Sequence, residues 1–241
     1  MNSYNFIFIA LLAGVLAGLI LAGVNYFVVE PYIDQAIGIE VDNSIAAGEP
    51  VNYEELNTYR IWQKDGTFAA GAFLGLSYGA ILGIAYVISR KYIPSYDDRK
   101  KALILAAVMC LTLYVIPFIK YPANPPAVGD PETIGLRDTL YTSYQLTSGL
   151  ITVGLSVLLI KMRSINNLKY LIPIIYLGLI AFIYAVFPSN PDSITAPMDL
   201  VNVFRTATFS TMVMFYLVMG GIFGLLWHRF KPHEPTRVEA R

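Results

Sequence analysis

Apolar residues gather into six long stretches along the chain: Phe6 to Val29, Phe68 to Ser89, Ala102 to Ile119, Thr142 to Ile160, Tyr170 to Phe187 and Phe204 to Trp227. The ionisable residues fall almost entirely between them. Crossing a hydrocarbon core of about 30 Å takes roughly 20 apolar residues, and the six stretches approach or exceed that length. A spanning segment must satisfy its own backbone, either as a helix or within a closed barrel. Barrel strands alternate apolar and polar positions, whereas these runs are continuous, so helices are predicted. The expected fold is all-α: a polytopic integral membrane helix bundle with six transmembrane helices, forming a single membrane domain over residues 1–241. The acidic connection 30–67, the proline-rich connection 120–141 and the tail 228–241 complete it.

Charge gives the bundle a direction. Lys and Arg near span ends are retained on the cytoplasmic side. With both termini cytoplasmic, twelve of the seventeen basic residues lie inside, in the second connection (Arg90, Lys91, Arg99, Lys100, Lys101), the fourth (Lys161, Arg163, Lys169) and the tail. Thirteen of the seventeen acids then lie outside. The predicted location is the cell (plasma) membrane, with the lipid bilayer as the first partner. Overall composition, 56% hydrophobic and 14% charged, agrees with this reading. The net charge of zero conceals the polarity and argues against nucleic acid as a partner. The first stretch lacks a basic leader and a small-residue cleavage site, which predicts a retained span rather than a removed signal peptide. One cysteine, Cys110, leaves no intrachain disulfide to form.

Spacing of small residues points to particular helix pairs. Gly71, Gly75, Gly79 and Gly83 recur every four residues in the second span, and Ala10, Gly14, Gly18 and Ala22 do the same in the first. Lipid offers no hydrophobic drive for helix association, so close backbone approach along such ridges is expected to hold these two spans together. A homo-oligomeric contact is the alternative use of the ridges. Met109, Met212, Met214 and Met219 read first as flexible gap fillers and second as soft metal ligands. The outer-interface arginines Arg60, Arg137 and Arg205 each precede or open a span and read as helix-end anchors at the headgroup level.

No catalytic constellation is visible, no phosphate-binding loop follows a strand, and His228 and His233 lie in the tail, so neither an enzyme nor a bound cofactor is expected. No ionisable residue lies deep in a span, so a solute path would use neutral oxygens. Asn25, Gln145 and Thr152 are its candidates; Gln145, Ser148 and Thr152 share one helix face. The acids Glu30, Asp34 and Glu40 follow the first span in a stretch that reads as a short amphipathic helix after a proline turn. Carboxylates are hard oxygen ligands, which makes these three the candidate metal ligands at an outer mouth. The prolines of 120–133 predict a stiff cap over the bundle.

The runs Asn25-Tyr-Phe-Val-Val-Glu30-Pro31-Tyr-Ile33, Tyr59-Arg60-Ile-Trp-Gln-Lys64, the Gly71 to Gly83 ladder and Lys120-Tyr-Pro-Ala-Asn-Pro-Pro-Ala-Val-Gly-Asp130 resemble the CbtA family of predicted cobalt transporter subunits, in its archaeal form. The resemblance covers the first half and centre of the chain. It implies a membrane permease subunit for cobalt or a similar divalent metal ion, serving cobalamin synthesis and working with a small one-span partner, CbtB. The chain departs from bacterial relatives in lacking histidine-rich loops. Cobalt(II) favours imidazole and mixed nitrogen and oxygen donors, so either weak carboxylate and carbonyl contacts pass the ion or a partner supplies nitrogen ligands. The rival reading is a non-transporting structural or accessory subunit of a larger membrane complex.

Overall fold

The computed structural model describes residues 3–95, 97–126, 128–162 and 168–232; the end of the tail and most of the fourth connection lie outside them. The described residues are helical with no strand. The elements are α1 (Ser3–Val28), α2 (Glu30–Ala46), α3 (Tyr53–Ser89), α4 (Asp98–Cys110), a wide π-helical turn (Leu111–Val115), α5 (Ile116–Lys120), α6 (Ile134–Lys161), α7 (Leu168–Val186) and α8 (Met198–Phe230). A single 3-10 turn, Pro131–Thr133, precedes α6. Among the described residues, five helices are long and apolar enough to cross a membrane: Tyr4–Val28, Tyr53–Ser89, Asp98–Lys120, Pro131–Lys161 and Met198–Phe230. The sixth apolar stretch forms α7, whose 19 residues carry Pro173 inside the helix.

The core is made by α1, α3, α4 and α8, with α1 against α3 and α8 packed on both α1 and α4. The two small-residue ridges meet. A Cβ added to Gly14 would overlap the Gly75 carbonyl and come within 2.9 Å of the Gly79 Cα, and one added to Gly18 would overlap the Gly71 carbonyl. The backbones are therefore in direct contact, with dispersion and Cα–H to carbonyl contacts in place of side-chain burial. The same device joins α8 to α4: a Cβ on Gly220 would lie 2.5 Å from that of Ala106, and one on Gly224 would lie 2.9 Å from the Arg99 Cα.

Large side chains fill the space the ridges leave. Tyr86, Phe215, Tyr216, Phe223 and Trp227 are fully buried, with Tyr86 and Trp227 ring centroids 4.8 Å apart. Met109, Cys110 and Met219 lie in this core as apolar packing. Phe6 stacks edge-on against Trp227, so the start of α1, the end of α3, the start of α4 and the end of α8 share one end of the bundle. There Asp98 accepts a 2.7 Å hydrogen bond from the Tyr86 hydroxyl and lies 3.5 Å from Arg90, whose guanidinium covers the Trp227 ring.

The opposite end carries α2 and the proline-rich connections. Pro31 lacks the N–H that would continue α1, so the chain bends at Val29 and restarts as α2. The expected short helix is 17 residues long, and Glu30 and Ala36 are its buried positions. Its first turn meets α8, where Val29, Phe204 and Ala207 form a small cluster with Tyr32, Ile33 and Ala123. The α6–α7 hairpin stands beside this four-helix core and touches it through the wide turn and α5.

Candidate functional site

The three arginines organise the α2 end, each by reaching a segment remote in sequence. Arg60 on α3 donates to Glu30 at 2.5 Å and to Asp34 at 2.8 Å, and Lys64 donates to Asp34 at 2.8 Å. Arg60 and Glu30 are both nearly withdrawn from water, with 11% and 10% of their side-chain surface exposed. Partial burial raises the pKa of Asp34, but the hydrogen bonds from Lys64 and Arg60 outweigh it and hold the carboxyl below its usual range. Arg137 on α6 donates to the carbonyls of Val128 and Asp130 and lies 3.1 Å from Asp192, which also accepts from Thr133. Arg205 on α8 donates to the Ala123 carbonyl and, at 2.7 Å, to Asn124. The sequence neighbours Glu55, Asp138 and Asn202 are not their partners: Glu55 pairs with Asn52 at the start of α3 instead.

This scaffold holds residues 121–126 and 128–131 above the helices and encloses a vestibule of about 780 Å³. Glu40 and Asp138 stand at its wall as exposed carboxylates, Asn124 and Asn190 add amides, and Tyr114 and Tyr141 line its inward part. Glu40 also borders a second, smaller cavity of about 270 Å³ with Asn43, Ser44 and Glu49.

Inward from Tyr114 and Tyr141 lies a hydrogen-bonded seam between the wide turn and α6. Its origin is Pro117. A proline has no N–H, so the ladder is one donor short where residue 117 would otherwise reach the Leu113 carbonyl four residues back or the Thr112 carbonyl five back. The wide turn shows the same strain on the ladder, with Ile116 bonding back five residues to Leu111. The donors come from α6: Ser148 Oγ to the Thr112 carbonyl at 2.9 Å, and Gln145 Nε2 to the Leu113 carbonyl at 2.5 Å. Gln145 Nε2 also donates to the Tyr78 hydroxyl of α3 at 3.0 Å. Thr152 Oγ1 lies 3.2 Å from the hydroxyls of both Thr112 and Tyr176, extending the seam to α7. Beyond it, Thr112, Thr152, Ser156 and Tyr176 border a further, open groove of about 240 Å³ with otherwise apolar walls.

A membrane bundle with an acid-walled vestibule over a seam of neutral oxygens has the parts of a solute path. The sequence profile of the family described as "Probable cobalt transporter subunit (CbtA)" matches residues 3–228. The chain belongs to the CbtA family. Neither the curated proteins nor the solved structures contain a significant match to it. Membership makes the chain a membrane protein of a transporter-subunit family, and the match extends over all the helices, including the last two spans.

In this CbtA chain the predicted site residues separate into three groups. Gln145 and Thr152 come together in the seam. Asn25 stands apart on α1, its Oδ1 buried without a hydrogen-bond partner. Of the candidate metal ligands, Glu40 faces the vestibule, whereas Glu30 and Asp34 are turned to Arg60 and Lys64. No group of three or more His, Cys, Asp or Glu side chains capable of holding a metal ion occurs among the described residues. The seam's organiser, Pro117, has a sequence signal of its own, a proline inside an apolar span. Tyr114 and Tyr141 carry none, because a tyrosine in such a span reads equally as packing.

Proposed function

We propose that this chain is the permease subunit of a cobalt-uptake system in the plasma membrane, with both termini cytoplasmic, and that the ion it brings in serves cobalamin synthesis. The vestibule carries the reading. It opens at the acidic end of a CbtA-family bundle and leads to a seam of carbonyl, amide and hydroxyl oxygens rather than to an apolar wall. Glu40 and Asp138 raise the local concentration of divalent cations. Glu30 and Asp34 contribute to the same field while tied to Arg60 and Lys64. Weak oxygen contacts suit conduction, which requires that an ion leave as readily as it arrives. Among the described residues the one histidine, His228, sits in the last turn of α8, at the end away from the vestibule. A small one-span partner of the CbtB kind therefore supplies the nitrogen donors that favour cobalt(II) over magnesium or calcium.

Radiolabelled cobalt uptake into proteoliposomes holding the chain, alone and with a co-encoded one-span protein, tests this. Uptake that falls about tenfold in a Glu40→Gln, Asp138→Asn double variant, roughly 1.4 kcal/mol of lost interaction, is the expected result. The seam contains no carboxylate, lysine, arginine or histidine, and this favours the accessory-subunit reading as the second one. Absence of flux in every sample would establish that reading.

A further inference from the structure

We infer that the α4–α6 seam is the closed gate of the path, with the wide turn Leu111–Val115 as its moving part and Gln145 as its latch; the inference rests on the permease reading above. Carbonyls inside a helix are ordinarily locked by the backbone and cannot be offered to an ion without unwinding it. Those of Thr112 and Leu113 lie where Pro117 leaves the ladder a donor short, and both accept from side chains of α6. Rotating Gln145 and Ser148 away releases both oxygens at the expense of three hydrogen bonds, the one to Tyr78 included, and no turn of helix has to melt.

Position supports the assignment. Along the helices the vestibule reaches Tyr114 on one strand of the passage and Tyr141 on the other, while the further groove begins at Thr112 and Thr152. The seam residues 112, 113, 145 and 148 therefore lie between the two spaces. Gln145 also ties α6 to Tyr78 of α3, so one amide closes the wide turn against two helices at once. With the latch open, the Thr112 and Leu113 carbonyls and the Thr112 and Thr152 hydroxyls form a ring of oxygens that replaces part of a cation's hydration shell. A wide turn within a membrane helix supplies the slack for that change.

A reporter cysteine separates the gate from the transport reading. In a Cys110→Ala background, Ser156→Cys lies on the far side of the seam, and a charged thiol reagent is applied from the side on which Glu132→Cys reacts. Modification of Ser156→Cys is expected to rise at least tenfold when Gln145→Ala is added. Pro117→Ala, which returns a backbone donor to the turn, is expected to cut both modification and cobalt flux at least tenfold while leaving the thermal midpoint unchanged or higher. Modification that is the same with and without Gln145→Ala overturns the gate, whatever the cobalt flux. Gln145-dependent modification in a chain without cobalt flux upholds the gate and removes cobalt as its cargo.

Discussion

Arg60 and Glu30 are the pair on which the α2 end depends. Removing one member of a buried ion pair strands the other charge, which typically destabilises by about 3–5 kcal/mol, whereas removing both is far milder. Arg60→Ala is therefore expected to lower the thermal midpoint in detergent sharply, and Arg60→Ala with Glu30→Gln to recover most of the loss. An equal effect of single and double variants would show that the pair carries no such coupling. Acid acts on the neighbouring contact. The Asp34 carboxyl has a folded pKa below its unfolded value, so the stability it contributes is fully present above about pH 4. It is lost as the pH falls through the folded pKa. At the opposite end Arg99 holds the exposed Asp97 down to about 2. Protease cleavage between residues 46 and 53, followed from pH 5 to pH 3, is expected to increase, and Asp34→Asn to abolish the pH dependence.

Among elements, α1 and α3 leave no room for a methyl group. The obstacle at Gly14, Gly18 and Gly75 is backbone, which cannot rotate aside as a side chain can. Gly14→Ala or Gly75→Ala is therefore expected to destabilise by about 3 kcal/mol, at or beyond the top of the usual range for overpacking. Gly178→Ala on α7 meets nothing within 4 Å and is expected to be neutral or to stabilise by about 0.5–1 kcal/mol, because alanine favours the helix. Thermal unfolding of the three variants side by side checks both signs. The ridges were legible in the sequence because a four-residue glycine spacing has few other uses over four repeats. The seam was legible only in part. Gln145, Ser148 and Thr152 share a face by helical spacing alone, but Gln145 and Ser148 meet main-chain carbonyls close to Pro117 on another helix, and Thr152 meets the hydroxyls of Thr112 and Tyr176.

The whole molecule is a four-helix core with a hairpin at its side and a stiff cap at one end. That asymmetry predicts opposite exposure of the two connections. Glu132→Cys is expected to react with an impermeant thiol reagent outside intact cells and Ser95→Cys only after the membrane is opened. The reverse pattern would invert the proposed orientation and place the vestibule in the cytoplasm. The cap is held by Arg137 and Arg205 through backbone carbonyls of 123, 128 and 130 together with Asn124 and Asp192. Arg205→Ala is therefore expected to increase proteolysis within 121–131 while leaving the helices intact.

Helical class, membrane residence and the polarity of the two ends were all readable from the chain, since each depends on local composition: apolar length against bilayer thickness, and the placement of charge at span ends. The glycine ridges were readable for a similar reason, because a helix converts spacing into a face. Partnership was not. Glu30 and Asp34 as sequence are a pair of outer acids; in the fold they are the anions that Arg60 and Lys64 neutralise, 26 to 30 residues away. Likewise Pro117 is one more residue in an apolar run until α6 stands beside it. Which side chain meets which carbonyl is set by how helices distant in sequence lie against one another, and in this protein that arrangement created both the vestibule and the seam beneath it.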